Sequence, residues 1–151
     1  MNNIVNSVAQ YITKTKKFEI QQSIFKNNNG RLQYNKTIRD NVENKFGIYL
    51  WINKVTNEVI YIGMAGRINA RGGYGGHTLR KRLVASRMRK NMIDIQTNDY
   101  VKHYMNELNI ETLIFYVLYS KADIPPSYLE AILLYEFYKK KGKLPFLNKS
   151  F

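Results

Sequence analysis

The chain contains no cysteine. That excludes a disulfide framework and the usual cysteine-ligated zinc modules. Histidine is scarce: His77 and His103 are the only two, too few and too far apart in sequence for a transition-metal cluster. A long apolar segment and a lipidation signal are missing as well. The opening MNNIVNSVAQYITKTKK lacks the apolar stretch of a secretory signal. These absences lead us to expect a cytoplasmic protein with no membrane span. Acids are in short supply, with 11 Asp and Glu against 24 Lys and Arg, a formal charge of +13. So large an excess calls for a polyanionic partner, and nucleic acid fits better than an acidic membrane surface. The length of 151 residues suits one domain with its own core. Twelve tyrosines among the cations suit base stacking, and equally an ordinary core.

Ile4, Val5, Val8, Ala9 and Ile12 recur at helical spacing, which predicts a short amphipathic helix over 4–12. The polar, Asn-rich stretch from Lys26 to Lys45 reads as a loop. Residues 1–45 thus read as an N-terminal helical arm, for DNA contact or dimerisation, attached to a core domain over 46–151. The core opens with a hairpin. Ile48, Leu50 and Ile52 alternate with Tyr49 and Trp51, the segment Asn53–Glu58 turns, and Val59–Ile62 returns. Five glycines between residues 66 and 76 mark an irregular, mobile loop. It lacks the G-x-x-x-x-G-K-[ST] pattern, which excludes a phosphate-cradling NTPase loop. LRKRLVASRMRKN predicts a basic helix over 79–91, and a second helix is expected over 98–108, capped by Asn98 or Asp99. TLIFYVLY, residues 112–119, is apolar almost throughout and reads as a central strand buried on both faces. Two prolines then open a last helix that runs to about Lys141.

Glu130 is the most informative single residue. Its helical neighbours ahead are Leu133, Leu134 and Phe137. A carboxylate on an apolar stripe is costly unless paired, hydrogen-bonded or bound to a metal. Pairing with an arginine at the edge of the core explains it as well as a metal does.

Gly47-Ile48-Tyr49 and Tyr61-Ile62-Gly63 resemble the two signature tripeptides of the GIY-YIG nuclease superfamily. Leu79-Arg-Lys-Arg82-Leu resembles that family's basic helix, Leu129-Glu130 its acidic helix, and Pro145-Phe-Leu-Asn148 its late P-x-x-N element. The resemblance covers about residues 46–148. It implies an α+β fold in which a small three-stranded, largely antiparallel sheet is flanked by helices. It further implies hydrolysis of DNA phosphodiesters with one divalent ion, Mg²⁺ or Mn²⁺. Tyr49, Tyr61, Arg82, Glu130 and Asn148 would then be catalytic. Glu130 would ligate the metal, Arg82 would hold the phosphate, and Asn148 would orient active-site groups or the tail. Tyr49 would assist the attacking water with Tyr61 as its hydrogen-bonded partner, the reverse assignment being nearly as good.

The chain departs from the family pattern at three places. Met64 stands where many members carry Lys or another polar residue. The loop over 66–78 is longer than in compact members, and Ser86 stands where many carry Tyr or His. His77 is a substitute for a base missing at Ser86, and Arg67, Arg71 or His77 for a cation missing at Met64. Arg67, Arg71, His77, Arg80, Lys81, Arg87, Arg89 and Lys90 are candidate DNA contacts. The expected activity is a DNA endonuclease, closest to restriction-type members, with specificity drawn from the arm, the loop, a homodimer or an external partner. A non-catalytic nucleic-acid-binding module on the same scaffold is the alternative, and a partner-binding protein at a membrane surface a weaker third.

Overall fold

The computed structural model describes residues 2–85 and 87–150. In chain order, α1 (Asn2–Asn6) and a short 3-10 turn lead into β1 (Ile12–Gln21) and α2 (Gly30–Asn41). A hairpin of β2 (Gly47–Asn53) and β3 (Val59–Ala65) follows, and then a small pair, β4 (Arg67–Ile68) with β5 (Tyr74–Gly75). Next come α3 (Leu79–Ala85), the pair β6 (Arg87–Lys90) with β7 (Ile93–Gln96), α4 (Thr97–Glu107), β8 (Thr112–Ser120) and α5 (Pro126–Lys141).

The main sheet has four antiparallel strands in the order β1-β8-β2-β3. Strand β8 is central, as its sequence predicts. Leu113, Phe115, Val117 and Tyr119 join the core on one face, while Ile114, Tyr116 and Leu118 join it on the other. Strand alternation sorts the hairpin in the same way. Tyr49 and Trp51 face the layer built from Tyr34 and Ile38 of α2, Leu79 and Leu83 of α3, and Val101 and Met105 of α4. Ile48, Leu50 and Ile62 face Leu129, Leu133 and Phe137 of α5 and Ile4 of α1. Helices therefore cover both faces of the sheet. Among the described residues no helix is long and apolar enough to cross a membrane.

Five expectations change. The sheet has four strands where three were expected, and the fourth comes from the segment read as an arm. Strand β1 pairs with β8 from Ile12↔Ser120 to Gln21↔Thr112, and it buries Phe18 and Ile20. The stretch over 26–45 is mostly helix α2, not a loop. Tyr34, Ile38 and Val42, four residues apart, are each no more than 1% exposed and carry its buried side. The helix expected over 4–12 ends at Asn6, although Ile4, Val5 and Val8 are buried as its pattern requires.

The basic helix expected over 79–91 stops at Ala85, and residues 87–90 form a strand. Its last carbonyls are taken by side chains from elsewhere in the chain. Thr97 Oγ1 donates to the Arg82 carbonyl at 3.0 Å, and the buried Tyr34 hydroxyl donates to the Leu83 carbonyl at 2.9 Å. Those bonds satisfy groups that a continuing helix would otherwise use. The glycine loop is also tied down: Tyr74 stacks on Phe46, with centroids 4.8 Å apart, and its hydroxyl donates to the Ile124 carbonyl at 2.9 Å.

Candidate active site

The two tyrosines of the hairpin lie on one face because the register sets Trp51 opposite Tyr61 and Tyr49 opposite Gly63. Their rings are 5.8 Å apart, and both pack on Trp51, at 5.8 and 4.8 Å. The glycine of each tripeptide makes room for a neighbour. A Cβ on Gly63 would lie 2.6 Å from both Cζ and the hydroxyl oxygen of Tyr49, and 2.7 Å from Tyr61 Cε2. A Cβ on Gly47 would lie 2.1 Å from the Leu118 carbonyl oxygen of the adjoining strand and 3.1 Å from Leu79 Cδ1 of α3. One glycine thus seats the phenols, and the other lets β8 and α3 close on the start of β2.

The two phenols are not equivalent. Strand β2 is interior, between β8 and β3, whereas β3 is the outer strand. Tyr49 is consequently 1% exposed and Tyr61 is half-buried. Burial pushes Tyr49 well above the ordinary phenol range, and the neighbouring Tyr61 raises it further. Burial also raises Tyr61, but its polar contact with Tyr49 works the other way and lowers it. Tyr49, expected to assist the water, is sealed in the core. Tyr61 is the phenol that meets solvent.

Arg82 and Glu130 reach this pair from opposite sides. Helix α3 packs on β2 and β3 over the face that holds the tyrosines, and α5 packs on β2 and β3 over the other. The two side chains nonetheless sense one another. Burial raises the Glu130 carboxyl above its ordinary value, and the Arg82 charge partly offsets this. The same Arg82 charge lowers Tyr49 and Tyr61, while that of Glu130 raises Tyr61. His77 is half-buried nearby. Burial first, then Arg82 and Lys81, hold its imidazole below the ordinary 6.5, so it is neutral at pH 7. Its Nδ1 is buried without a hydrogen-bond partner.

The remaining predicted residues divide by role. Asn148 clamps backbone: its Oδ1 accepts from the Ile62 amide at 2.9 Å, and its Nδ2 donates to the Ile62 carbonyl at 2.8 Å. With Leu147 donating its amide to the Ile60 carbonyl at 2.9 Å, the tail lies along the outer edge of β3 and fixes the residue between Tyr61 and Gly63. Arg80 holds the fold together, its Nε donating to the Val42 carbonyl at 2.7 Å. Arg67, Arg71 and Lys81 are exposed, and Lys90 is half-buried. The side chains of Arg87 and Arg89 lie outside the described residues, as does Ser86. Met64 packs against the core under α5 and brings no charge to the tyrosines. Sequence reasoning did not foresee Gly63 as the seat of both rings, nor Thr97 and Tyr34 as the supports of α3. The register of the hairpin held a clue to the first only.

Among the described residues no three of His, Asp and Glu gather as a metal cage. The donor set at this edge is one half-buried carboxylate beside a guanidinium, an imidazole and a phenol. No family model, curated protein or solved structure matches the chain.

Proposed function

We propose that the edge of β3 is the active centre of a divalent-metal-dependent DNA endonuclease of the GIY-YIG type. The observation that carries the reading is geometric: Tyr49 and Tyr61 pack with rings 5.8 Å apart on the hairpin, on which the helices carrying Arg82 and Glu130 pack from opposite faces, and the charges of both side chains act on Tyr61. The net charge of +13 supports a polyanionic substrate.

A single carboxylate fits Mg²⁺ or Mn²⁺, since a small hard ion keeps most of its waters and takes phosphate oxygens as further ligands. Glu130 would hold that ion, which would supply positive charge to the phosphate and the leaving oxygen. The other roles belong to the protein's own side chains. Arg82 binds a non-bridging phosphate oxygen and stabilises the charge that builds up there as the water attacks. The Tyr61 hydroxyl orients the attacking water. Tyr49 is a positioning residue, whose buried ring packs beside that of Tyr61 with centroids 5.8 Å apart. Proton removal falls to His77, because a phenol raised above 10 keeps its proton at pH 7, while a neutral imidazole has a free lone pair. Asn148 holds the strand that carries Tyr61.

The test is nicking of supercoiled plasmid with Mg²⁺, with Mn²⁺ and with EDTA. Wild type is expected to cut only with metal. Arg82→Ala is expected to lose about 10²-fold or more in rate, the loss typical of removing one charge-stabilising donor. DNA binding that is salt-sensitive but yields no metal-dependent cutting would favour the non-catalytic binding module.

A further inference from the structure

Helix α5 carries a second feature on the side away from Glu130. Tyr128, Tyr135 and Tyr138 are 48%, 50% and 52% exposed. At positions i, i+7 and i+10 they form one line along the outer face, opposite Leu129, Leu133 and Phe137, which bury the inner face. A soluble surface gains nothing from three aligned aromatic rings unless something covers them. The line is also cationic. Lys139 Nζ sits 4.9 Å from the centre of the Tyr135 ring and is also paired with Glu136 at 3.0 Å, so the net positive charge comes from Lys140 and Lys141 at the helix end and Lys143 just beyond it. Beyond the tyrosine line, Lys140, Lys141 and Lys143 line a cleft at the helix end together with Ile4, Phe137 and Glu58, beside the β2–β3 turn. Tyr11 extends the line at its other end, packing edge-on against Tyr128 at 5.7 Å.

We infer that this face of α5 binds an unpaired DNA strand, whose bases stack on Tyr128, Tyr135 and Tyr138 while its phosphates meet the lysines at the helix end. A line of flat rings ending in a cluster of ammonium groups is the chemistry that holds single strands without reading sequence. The bases of a duplex are already stacked on one another and offer no free faces. Ten residues of helix from Tyr128 to Tyr138 span about 15 Å, the length of roughly four stacked nucleotides. The formal charge of +13 favours a polyanion over a second copy of this chain as the occupant. The inference rests on the chain being a nucleic-acid-binding protein, and not on its cutting DNA. Its consequence for the proposed nuclease is a preference for substrates in which a single-stranded segment adjoins the duplex.

The experiment is fluorescence anisotropy with labelled dT30 and a 30-base-pair duplex, in EDTA so that cleavage plays no part. Wild type is expected to bind dT30 more tightly than the duplex. Tyr135→Ala is expected to weaken dT30 binding by roughly 5- to 100-fold, the range for losing one stacked base, and to leave duplex binding unchanged. Replacing all three tyrosines with Phe keeps the rings and is expected to preserve binding. Equal binding of dT30 by wild type and by a triple Tyr128→Ala/Tyr135→Ala/Tyr138→Ala protein with an unchanged circular dichroism spectrum would overturn the inference. So would a wild-type dimer in sedimentation that the triple Ala substitution dissociates. Failure of plasmid cutting with dT30 binding intact would count against the nuclease reading alone.

Discussion

Substituting Gly63 with Ala tests the seat of the two phenols with a single methyl group. The added Cβ would sit 2.6 Å from Cζ and the hydroxyl oxygen of Tyr49, and 2.7 Å from Tyr61 Cε2, about 1 Å inside a normal carbon–carbon contact. Neither ring can yield freely. Tyr49 is 1% exposed, and both rings press on Trp51, which is fully buried. Overpacking of this kind costs about 1–3 kcal/mol. Ala in place of Gly in a strand returns about 0.4–1 kcal/mol by narrowing the unfolded ensemble. A net loss of about 1–2 kcal/mol is therefore expected. Urea unfolding followed by Trp51 fluorescence reads it directly, because Trp51 is the single tryptophan and touches both rings. The midpoint should fall with little change in the slope. Cleavage per folded molecule should fall as well, because the displaced rings are Tyr61, which carries the hydroxyl that orients the water, and Tyr49, which positions it. A Gly63→Ala protein within about 0.5 kcal/mol of wild type and fully active would refute the steric argument and, with it, the role given to Tyr61.

Other substitutions separate structure from chemistry. Asn148→Ala removes both side-chain bonds to Ile62 and should cost about 1–2 kcal/mol in the same assay, while plasmid cutting per folded molecule changes less than in Arg82→Ala. Glu130 has its carboxyl raised by burial: the folded state is favoured while the group is neutral, and that contribution is lost as pH rises through the folded-state value. Glu130→Gln should therefore be more stable than wild type at pH 7, and the difference should vanish below the ordinary carboxyl value of about 4.3. Manganese should raise the melting temperature of wild type and not of Glu130→Gln. With His77 as proton acceptor, kcat/KM should rise with a midpoint below 6.5 and then level off. His77→Ala should lose that limb and about 10²-fold or more in rate. A rate that climbs steadily to pH 10 would assign the proton to a phenol instead.

The elements that the sequence announces are those whose burial is local and periodic. The hairpin, β8 and α5 carry their apolar residues at regular spacing, and each lies close to its expected range. Strand β1 escaped because it is an outer strand. Only Phe18 and Ile20 of its ten residues are buried, and Lys14, Lys16 and Lys17 are exposed, as suits an edge guarded against pairing. Helix α2 hid for a similar reason, since Tyr34 and Ile38 supply nearly all of its buried apolar side. The early end of α3 depends on hydrogen bonds from Thr97 and Tyr34, partners that no local window contains. The site shows the same division. The tripeptides mark both tyrosines, but which is sealed and which is open depends on strand order, because β8 covers β2 and leaves β3 outermost.

The central claim is that Glu130 and Arg82 form one hydrolytic centre with Tyr61. Single-turnover cleavage of an end-labelled duplex, with protein in excess and Mn²⁺ present, tests it most directly when wild type and Glu130→Gln are compared at equal DNA occupancy. Wild type is predicted to cut, and Glu130→Gln to bind with the same salt dependence and leave the strand intact. Equal cutting rates for the two proteins would contradict the account.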